Sequence, residues 1–260
     1  MIKVLFFPDI IGRPGRTAVK NFIAENKESL EADLIIANVD NVASGRGPTL
    51  TTVQEMHDAG IDVLTCGDHI WDQKESTELF SDKKLKLIRP LNYPKIAPGK
   101  GSIEVSVKGR SIVIVSLLGR VFTAEGLDNP FTVIDEFLES SKDKNIIIDF
   151  HAEATSEKMA LGYYLAGRVS AVLGSHTHVQ TSDERILKGH TAYISDCGSN
   201  GPYDSVIGVE PEISIKRFRT GMPMKFELAE GPVQVNAVLI EIDDKTGKST
   251  SISRIQQIVS

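Results

Sequence analysis

Short apolar runs alternate with longer helical patterns through the first half of the chain. Runs rich in β-branched residues predict strands over residues 3–7, 34–39 and 63–66. Between them, helical patterns span residues 17–28 and 51–59. Strands that alternate with helices are typical of βαβ units, whose strands form a parallel sheet. The pattern therefore predicts an α/β fold.

The alternation of predicted strands and helices resumes after a hairpin in the middle of the chain. Two alternating runs at 102–107 and 111–117 flank a turn that contains glycine, which predicts a β-hairpin. A second hairpin is predicted at the C-terminal end, around the turn 244–247. The other predicted elements are helices at 133–141, 156–165 and 213–218, strands at 145–150 and 169–173, and short strand-like segments at 193–195 and 225–228. No repeat, low-complexity stretch or linker divides the sequence, so we expect one domain over residues 1–260.

Composition and charge narrow the classes of partner. With 41% apolar and 25% charged residues, the chain has enough hydrophobic material for a sizeable core. The net charge of -6 argues against binding of long nucleic acids, because that affinity comes mostly from lysine and arginine. Self-association of the chain stays open.

Two further features indicate where the protein works. The apolar run at residues 4–7 is too short for a signal peptide, and no stretch has the roughly 18 apolar residues of a membrane span. Cys66 and Cys197 have no metal-binding spacing and form no disulfide framework, which fits a reducing compartment. We therefore expect a cytoplasmic protein without a membrane partner.

Five predicted strands run directly into residues that can bind a metal. These residues are Asp9, Asp40 with Asn41, Asp68 with His69, His151, and His176 with His178. A single aspartate or asparagine at such a place more often caps the following helix. Five strand ends with four of the six histidines of the chain among them favour a shared site instead. The carboxyl ends of strands in an open α/β sheet line one crevice, where we expect these side chains to converge.

The donor types indicate the kind of metal site. His176 and His178 are two residues apart, so in an extended segment their side chains would point the same way. Imidazole, carboxylate and amide donors suit Mn, Fe or Zn, and the lack of thiolates argues against a structural zinc finger. The donors exceed what one tetrahedral ion needs. We therefore expect two metal ions that share a bridging carboxylate.

The spaced set Asp, Asp-Asn, Gly-Asp-His, His and Gly-Ser-His-Thr-His resembles the calcineurin-like metallophosphoesterases. More closely, FHAEATSEK, GSHTHVQT, SDCGSNGPYD and IKRFRTGMP are similar to phrases of the bacterial YmdB-like cyclic-nucleotide phosphodiesterases, and the likeness extends from Met1 to about Ile255. The resemblance implies a four-layer αββα sandwich, with helices outside two packed sheets. It also implies hydrolysis of small phosphodiesters, in particular 2′,3′-cyclic nucleotides, to nucleoside monophosphates.

The resemblance also implies roles for individual residues. A first metal would be held by Asp9, Asp40, Asn41 and His178, and a second by Asp40, Asp68, His151 and His176. Asp40 would bridge two divalent or mixed-valence ions, Fe or Mn, and His69 would be the general acid. The chain departs from the family pattern at Pro8, where Gly is usual, at Asp40, where Glu is usual, and at Asp68, where Asn is usual. The last departure changes the charge of the site.

Other interpretations stay open at this point. The altered charge at Asp68 motivates a regulatory or scaffolding protein of low turnover, and an enzyme for another small phosphoester is a further alternative. Arg13 and Arg16 are candidates to meet a phosphate, although their loop lacks the G-x-G-x-x-G spacing of dinucleotide-binding folds. Surface positions are predicted for His57 and His190, and a solvated helix face for Lys216, Arg217 and Arg219.

Overall fold

The computed structural model describes residues 1–123, 126–141 and 145–259. In chain order the strands are β1 Ile2–Phe7, β2 Leu34–Asn38, β3 Val63–Thr65, β4 Ser102–Val107, β5 Arg110–Leu118, β6 Ile146–His151, β7 Ala171–Ser175, β8 Arg185–Leu187, β9 Thr191–Ile194, β10 Gly201–Pro202, β11 Val233–Ile242 and β12 Ser249–Val259. The helices are α1 Gly12–Leu30, α2 Leu50–Asp58, α3 Pro130–Ser140, α4 Thr155–Leu165 and α5 Pro211–Thr220. Short 3₁₀ turns occur at Asp68–Trp71, Glu78–Phe80 and Lys83–Leu85.

The strands form two sheets. In the first, the order is β10-β11-β1-β2-β3, and β12 pairs along β11. In the second, the order is β4-β5-β6-β7-β9-β8. Strands β1, β2 and β3 are parallel, and so are β5, β6, β7 and β9, so each sheet has a parallel centre. The carboxyl ends of neighbouring parallel strands lie at the same edge of their sheet.

The alternation of apolar residues along the central strands produces four layers. Val4 and Phe6 of β1 pack in one cluster with residues of the second sheet such as Ile114, so the two sheets bury their facing sides against each other. Leu5 and Phe7 point to the other side and pack against α1 and α2. The outer side of the second sheet is covered in the same way by α3 and α4. Because side chains of a strand alternate between faces, the residues of β1 other than Lys3, which are all apolar, are buried on both sides of the sheet.

Local sequence signals explain where several helices begin and end. Thr49 caps α2 by accepting from the backbone N–H of Thr52, whose own side chain accepts in return. Asn129 caps α3 ahead of Pro130, where the ring suits the first helical turn. Gly221 ends α5 with a φ of 69°, a left-handed conformation that favours glycine.

The four-layer αββα sandwich is therefore confirmed, and most predicted elements lie within a few residues of their observed bounds. Several details differ. Helix α1 begins at Gly12, several residues before the predicted start. Strands β8 and β10 and the 3₁₀ turns were not predicted, and residues 225–228 contribute only an isolated bridge between Leu228 and Val209. No helix among the described residues is long and apolar enough to cross a membrane. One domain over residues 1–260 stays a prediction.

Candidate functional site

The candidate residues come together where the carboxyl ends of strands from both sheets meet. Asp9 follows β1, Asp40 and Asn41 follow β2, Asp68 and His69 follow β3, His151 ends β6, and His176 and His178 follow β7. We predicted a crevice of one open sheet, whereas the residues come from two packed sheets. Each sheet brings part of the donor set, so neither forms the site alone.

Asp40 is held in place by the loop after β3. Its Oδ1 atom accepts from the backbone N–H of Gly67 at 2.7 Å, from that of His69 at 3.1 Å and from Cys66 Sγ at 3.0 Å. Oδ2 lies 3.4 Å from His151 Nε2. One carboxylate oxygen is thus occupied by donors of the loop, and the other is directed toward the histidine.

A close contact between Gly67 and His151 depends on the missing side chain of glycine. A Cβ atom at position 67 would lie 2.2 Å from Cδ2 of His151 and 2.3 Å from its Nε2 atom. Real Cβ atoms do not approach other atoms so closely, so the imidazole of His151 would have to move. Any larger residue would therefore displace one of the candidate ligands.

Three residues form a tight group between the sheets. His151 Nε2 lies 3.2 Å from Asp68 Oδ1 and 3.0 Å from His176 Nδ1. His176 Nδ1 is 3.6 Å from the same Asp68 oxygen. One ligand atom from each of the three lies within 4.8 Å of the others, and Asp40, Asp68 and His69 form a second such group.

Asp9, Asn41 and His178 complete the site on the side of β1. The backbone N–H of His176 donates to Asp9 Oδ2 at 2.9 Å, and His178 Nε2 lies 3.7 Å from Asp9 Oδ1, an ion-pair distance. Asn41 Nδ2 donates to the carbonyl of Gly45 at 3.0 Å, which leaves its Oδ1 atom for another partner. Asp9 Oδ1 and Asn41 Oδ1 are both buried without any hydrogen-bond donor. A buried acceptor without a partner is costly, and a cation would satisfy both oxygens.

The backbone of the Ser-His-Thr-His turn is unusual. His176 has a φ of 96° and His178 a φ of 65°, in the left-handed region that residues other than glycine rarely adopt. The segment is therefore a turn and not the extended segment on which the spacing argument depended. Both imidazoles still reach the cluster, because the turn carries His176 toward Asp68 and His178 toward Asp9. Strained backbone of this kind persists where the surrounding structure holds it, often at functional sites.

Each of the three histidines places one ring nitrogen beside an oxygen that is not part of the candidate ligand set. His151 Nδ1 donates to Ser175 Oγ at 3.0 Å, and His178 Nδ1 donates to the carbonyl of Ile207 at 3.2 Å. His176 Nε2 lies 3.1 Å from the carboxylate of Glu153. These contacts fix the ring orientation and leave the other nitrogen of each ring facing inward, as metal-binding histidines require.

Behind His151 lies a buried polar network that the sequence reading did not identify. Ser175 Oγ donates to Asp149 Oδ1 at 2.6 Å, and Asn38 Nδ2 donates to Asp149 Oδ2 at 2.8 Å. Asn38 also accepts from the backbone N–H of Asp40 at 2.9 Å. Asn38 and Asp149 stand two residues before Asp40 and His151, so the period-two pattern of a strand was the signal that could have found them.

The charges of the site depend strongly on one another. Burial lowers the pKa of His151, but the carboxylates of Asp9, Asp40 and Asp68 outweigh it and raise this pKa to about 10. Burial and the charge of His151 lower the pKa of His176 to about 4. The carboxylates therefore favour a positive charge at the centre of the cluster.

The pKa values of the three carboxyl groups shift in different directions. Burial raises the pKa of Asp68, but the hydrogen bond and charge of His151 outweigh it and hold the pKa below its ordinary value. Asp9 behaves like Asp68, since the charges of His151 and His178 outweigh its burial. Burial raises the pKa of Asp40, and the charge of His151 opposes this rise. The lowered pKa favours an ionised Asp68, which contributes a negative charge to the site.

His69 lies at the rim of the site and is less buried than His151. Its Nδ1 atom is 2.9 Å from Asp72 Oδ2, and the same Asp72 oxygen lies 3.0 Å from Arg46 Nε. Asp72 therefore holds one ring nitrogen and leaves Nε2 of His69 for another partner. Its backbone N–H, in contrast, belongs to the group of donors around Asp40.

Two other polar candidates have structural partners outside the site. Arg16 lies within α1, where it binds Glu55 Oε2 at 2.7 Å and the carbonyl of Val42 at 2.8 Å. His57 is half-buried and bonded to the carbonyls of Ile61 and Leu85. The prediction of an exposed surface position for His57 is therefore wrong, because the loop before β4 folds over α2.

The donor set fits a metal centre. Two buried oxygens have no donor, three imidazoles turn one nitrogen inward, and the surrounding carboxylates favour a cation. All ligand atoms are nitrogen or oxygen, which suits Fe, Mn or Zn.

Comparison with known proteins agrees with this geometry. Residues 5–255 match the family described as YmdB-like protein. The chain is 44% identical over 256 residues to a 2′,3′-cyclic-nucleotide 2′-phosphodiesterase of Bacillus subtilis strain 168, with 98% of this chain and 96% of that protein covered.

Two solved structures are similar as well. The crystal structure of a novel phosphatase from Mycoplasma pneumoniae is similar at a TM-score of 0.94 and 36% identity, covering 99% of this chain and 94% of that one. A 5′-nucleotidase precursor from Thermus thermophilus has a TM-score of 0.57 at 12% identity, covering 99% of this chain and 54% of that one. The second likeness shows the fold alone.

Proposed function

This chain belongs to the YmdB-like protein family, and from that premise we propose that it is a metal-dependent phosphoric diester hydrolase. Its proposed substrates are small phosphodiesters, in particular 2′,3′-cyclic nucleotides, as the name of the Bacillus subtilis relative suggests. The net charge of -6 supports small substrates over long nucleic acids. A cytoplasmic location is part of the same proposal.

The orientation of the three histidines is the observation that carries the proposal. His151 and His178 donate from Nδ1 to an oxygen, and His176 Nε2 lies beside the carboxylate of Glu153. The other nitrogen of each ring faces the carboxylates of Asp9, Asp40 or Asp68. A structural cluster of ion pairs would have no need for two buried oxygens without donors, on Asp9 and Asn41. A centre that binds cations accounts for both features.

We assign the ligands in two sets that share Asp40. Asp9, Asp40, Asn41 and His178 would hold one ion, and Asp40, Asp68, His151 and His176 would hold the other. Fe and Mn are the proposed metals, as the family resemblance implies, and carboxylate, amide and imidazole donors suit both. When bound, such ions activate water as a nucleophile and neutralise charge that develops on the phosphate oxygens.

The protein's own residues position the ligands and supply a proton. Gly67 and the backbone of His69 hold Asp40 in one orientation, so the carboxylate shared by the two proposed ligand sets is positioned before substrate arrives. Asp72 accepts from Nδ1 of His69 and directs Nε2 outward. In its protonated form His69 would donate from Nε2 to the ribose oxygen that leaves phosphorus, which opens the cyclic ester.

Metal content and turnover together test the function. Protein purified without chelator and supplied with Mn or Fe is expected to contain two ions per chain, because two ligand sets are available. It is also expected to hydrolyse 2′,3′-cyclic AMP, and chelation should abolish that turnover. One ion or fewer would contradict the two-metal centre. Two ions without turnover on cyclic nucleotides, phosphomonoesters or dinucleotides would favour a regulatory protein of low turnover.

Replacing His69 by alanine is expected to lower kcat for 2′,3′-cyclic AMP by about 10²- to 10⁴-fold, the usual contribution of a general acid. The loss should be much smaller for a 4-nitrophenyl phosphodiester, whose leaving group needs no proton. Steady-state kinetics on both substrates measures the difference, and elemental analysis checks that both ions remain. An equal loss on both substrates would contradict proton donation, and loss of an ion would make His69 a ligand.

A further inference from the structure

A cavity of about 530 Å³ adjoins the candidate metal centre, and two of the candidate ligands, Asn41 and His178, line it. Its other walls come from the loop after Asn41, from residues 207–209 and from the segment 223–228 that follows α5. The size suits a small molecule that fills the cavity while part of it reaches the metal ligands.

An exposed aromatic residue forms part of the cavity wall. Phe226 is 49% exposed, and the guanidinium of Arg217 lies 4.8 Å from the centre of its ring. Met224 and Leu228 add apolar surface beside it. An aromatic ring held by an arginine and left half open to a cavity is a surface on which a flat heterocycle can stack.

Main-chain hydrogen bonds join the segment 223–228, which carries Phe226, to the loop 207–210 beside the candidate metal centre. Glu210 N donates to the carbonyl of Glu227 at 2.9 Å, and Ala229 N donates to the carbonyl of Gly208 at 3.1 Å. The same loop supplies the carbonyl of Ile207, which accepts from His178 Nδ1. Residues 207–210 are therefore hydrogen-bonded both to the segment that carries Phe226 and to the candidate ligand His178.

The charges around the cavity suit an anionic ligand with an apolar end. Arg46, Arg217 and Lys225 line it, against a single acidic lining residue, Glu227. The cations complement a phosphate ester, and the apolar wall complements a base. Arg217, read from the sequence as part of a solvated helix face, thus has a partner in the structure.

We propose that this cavity binds the nucleoside part of the substrate, with the base stacked on Phe226 and the phosphate directed toward Asn41 and His178. This proposal rests on the proposed function, which supplies the cyclic phosphate, and it assigns specificity for nucleotides to a segment outside the metal centre. Arg217 is a positioning residue, since it acts on the base through the ring of Phe226.

Phe226→Ala is the decisive variant, with Phe218→Ala as its matched control. Phe218 lies on α5, is 83% exposed and does not line the cavity. Two substrates are compared, 2′,3′-cyclic AMP and the base-free methyl riboside 2′,3′-cyclic phosphate. Phe226→Ala is expected to raise KM for cyclic AMP about tenfold, the usual scale of a lost base–aromatic stack, with kcat changed less than twofold.

The base-free substrate separates stacking from general damage. Its kinetics should be the same in Phe226→Ala, Phe218→Ala and the natural protein, and Phe226→Tyr should restore the natural KM for cyclic AMP. An equal change on both substrates, or none on cyclic AMP, would overturn the nucleoside site while the hydrolase function stands.

If the natural protein turns over neither substrate, the proposed function fails. A binding measurement then decides whether the cavity is a nucleotide site. Calorimetric titration of the metal-loaded protein with 3′-AMP is then compared between variants. Affinity about tenfold weaker in Phe226→Ala than in Phe218→Ala supports the cavity as a nucleotide site. Equal affinity in the two variants, or no binding to the natural protein, overturns it.

Discussion

Replacing Asp40 by alanine is expected to remove both metal ions and to lower kcat/KM for 2′,3′-cyclic AMP by about 10³-fold or more, beyond the loss usual for a single catalytic donor. Asp40 is the residue that both proposed ligand sets share. It is fully buried and directs Oδ2 toward His151. Without this carboxylate, each of the two proposed sets loses one of its four ligands.

A fold defect must be separated from the loss of metal. Asp40→Ala also leaves the backbone N–H groups of Gly67 and His69 without their acceptor, which costs about 1–3 kcal/mol for each buried group. Asp40→Asn is the better variant, because its amide oxygen can still accept from Gly67 while the charge is gone. Exposed Asp58 on α2 supplies the matched control, Asp58→Ala.

Thermal unfolding with and without metal provides the second measurement. Metal at 100 times its Kd stabilises the folded protein by about 2.7 kcal/mol, so the natural protein and Asp58→Ala should show a clear rise in Tm. Asp40→Asn should show none, although its Tm in chelator stays near that of the natural protein. Two bound ions and a normal metal-dependent rise in Asp40→Asn would contradict the bridging role.

Replacing Lys158 by methionine is expected to lower the free energy of unfolding by about 3 kcal/mol, the low end for a broken buried ion pair. Lys158 Nζ lies 2.6 Å from Asp196 Oδ2, and the two side chains are only 2% and 1% exposed. Asp196 keeps other donors, the N–H and Oγ1 of Thr177 and the N–H of Gly198. These bonds reduce the cost of the charge that is left behind, so the upper end of the range is not expected.

The same change should weaken metal binding, because Asp196 holds Thr177 between the two left-handed histidines. Urea denaturation in chelator measures the stability, and titration with Mn measures the affinity. Arg168→Met is the control, since Arg168 and Asp135 are also 2.6 Å apart but 38% and 32% exposed. Breaking that exposed pair should cost less than about 1 kcal/mol. A cost below about 1 kcal/mol for Lys158→Met would show that Asp196 needs no cation at its side.

The candidate ligands could be found from the sequence because each stands where an apolar run stops. The sequence alone shows apolar runs that end at Asp9, Asp40 or His151. The rule that parallel strands end at one edge of a sheet then predicts that these residues lie close together. The pairing of strands into two sheets could not be found this way. Every central strand is apolar on both faces, so the pattern does not tell which face meets a helix and which meets the other sheet.

Residues that act through their neighbours were harder to find. Nothing in the sequence pattern distinguishes Glu153 from other acidic residues. Only the fold places its carboxylate beside His176 Nε2. The acceptor of His178 is a backbone carbonyl, that of Ile207, which no side-chain motif can reveal. Helix α1 likewise begins earlier than its pattern predicts because Gly12 N donates to the carbonyl of Asn41, a contact between distant parts of the chain.

The sequence by itself determined the α/β class, the approximate bounds of most elements and the donor residues at the strand ends, because these depend on local periodicity and on residue type. Only the tertiary structure decided how the donors face one another. The left-handed turn at His176 and His178, the close approach of Gly67 to His151 and the stacking of Arg217 on Phe226 all depend on how separate segments pack together. Such contacts form between segments that are far apart in the sequence and pack closely in the fold. The conformation of each segment therefore depends on the shape and charge of the other.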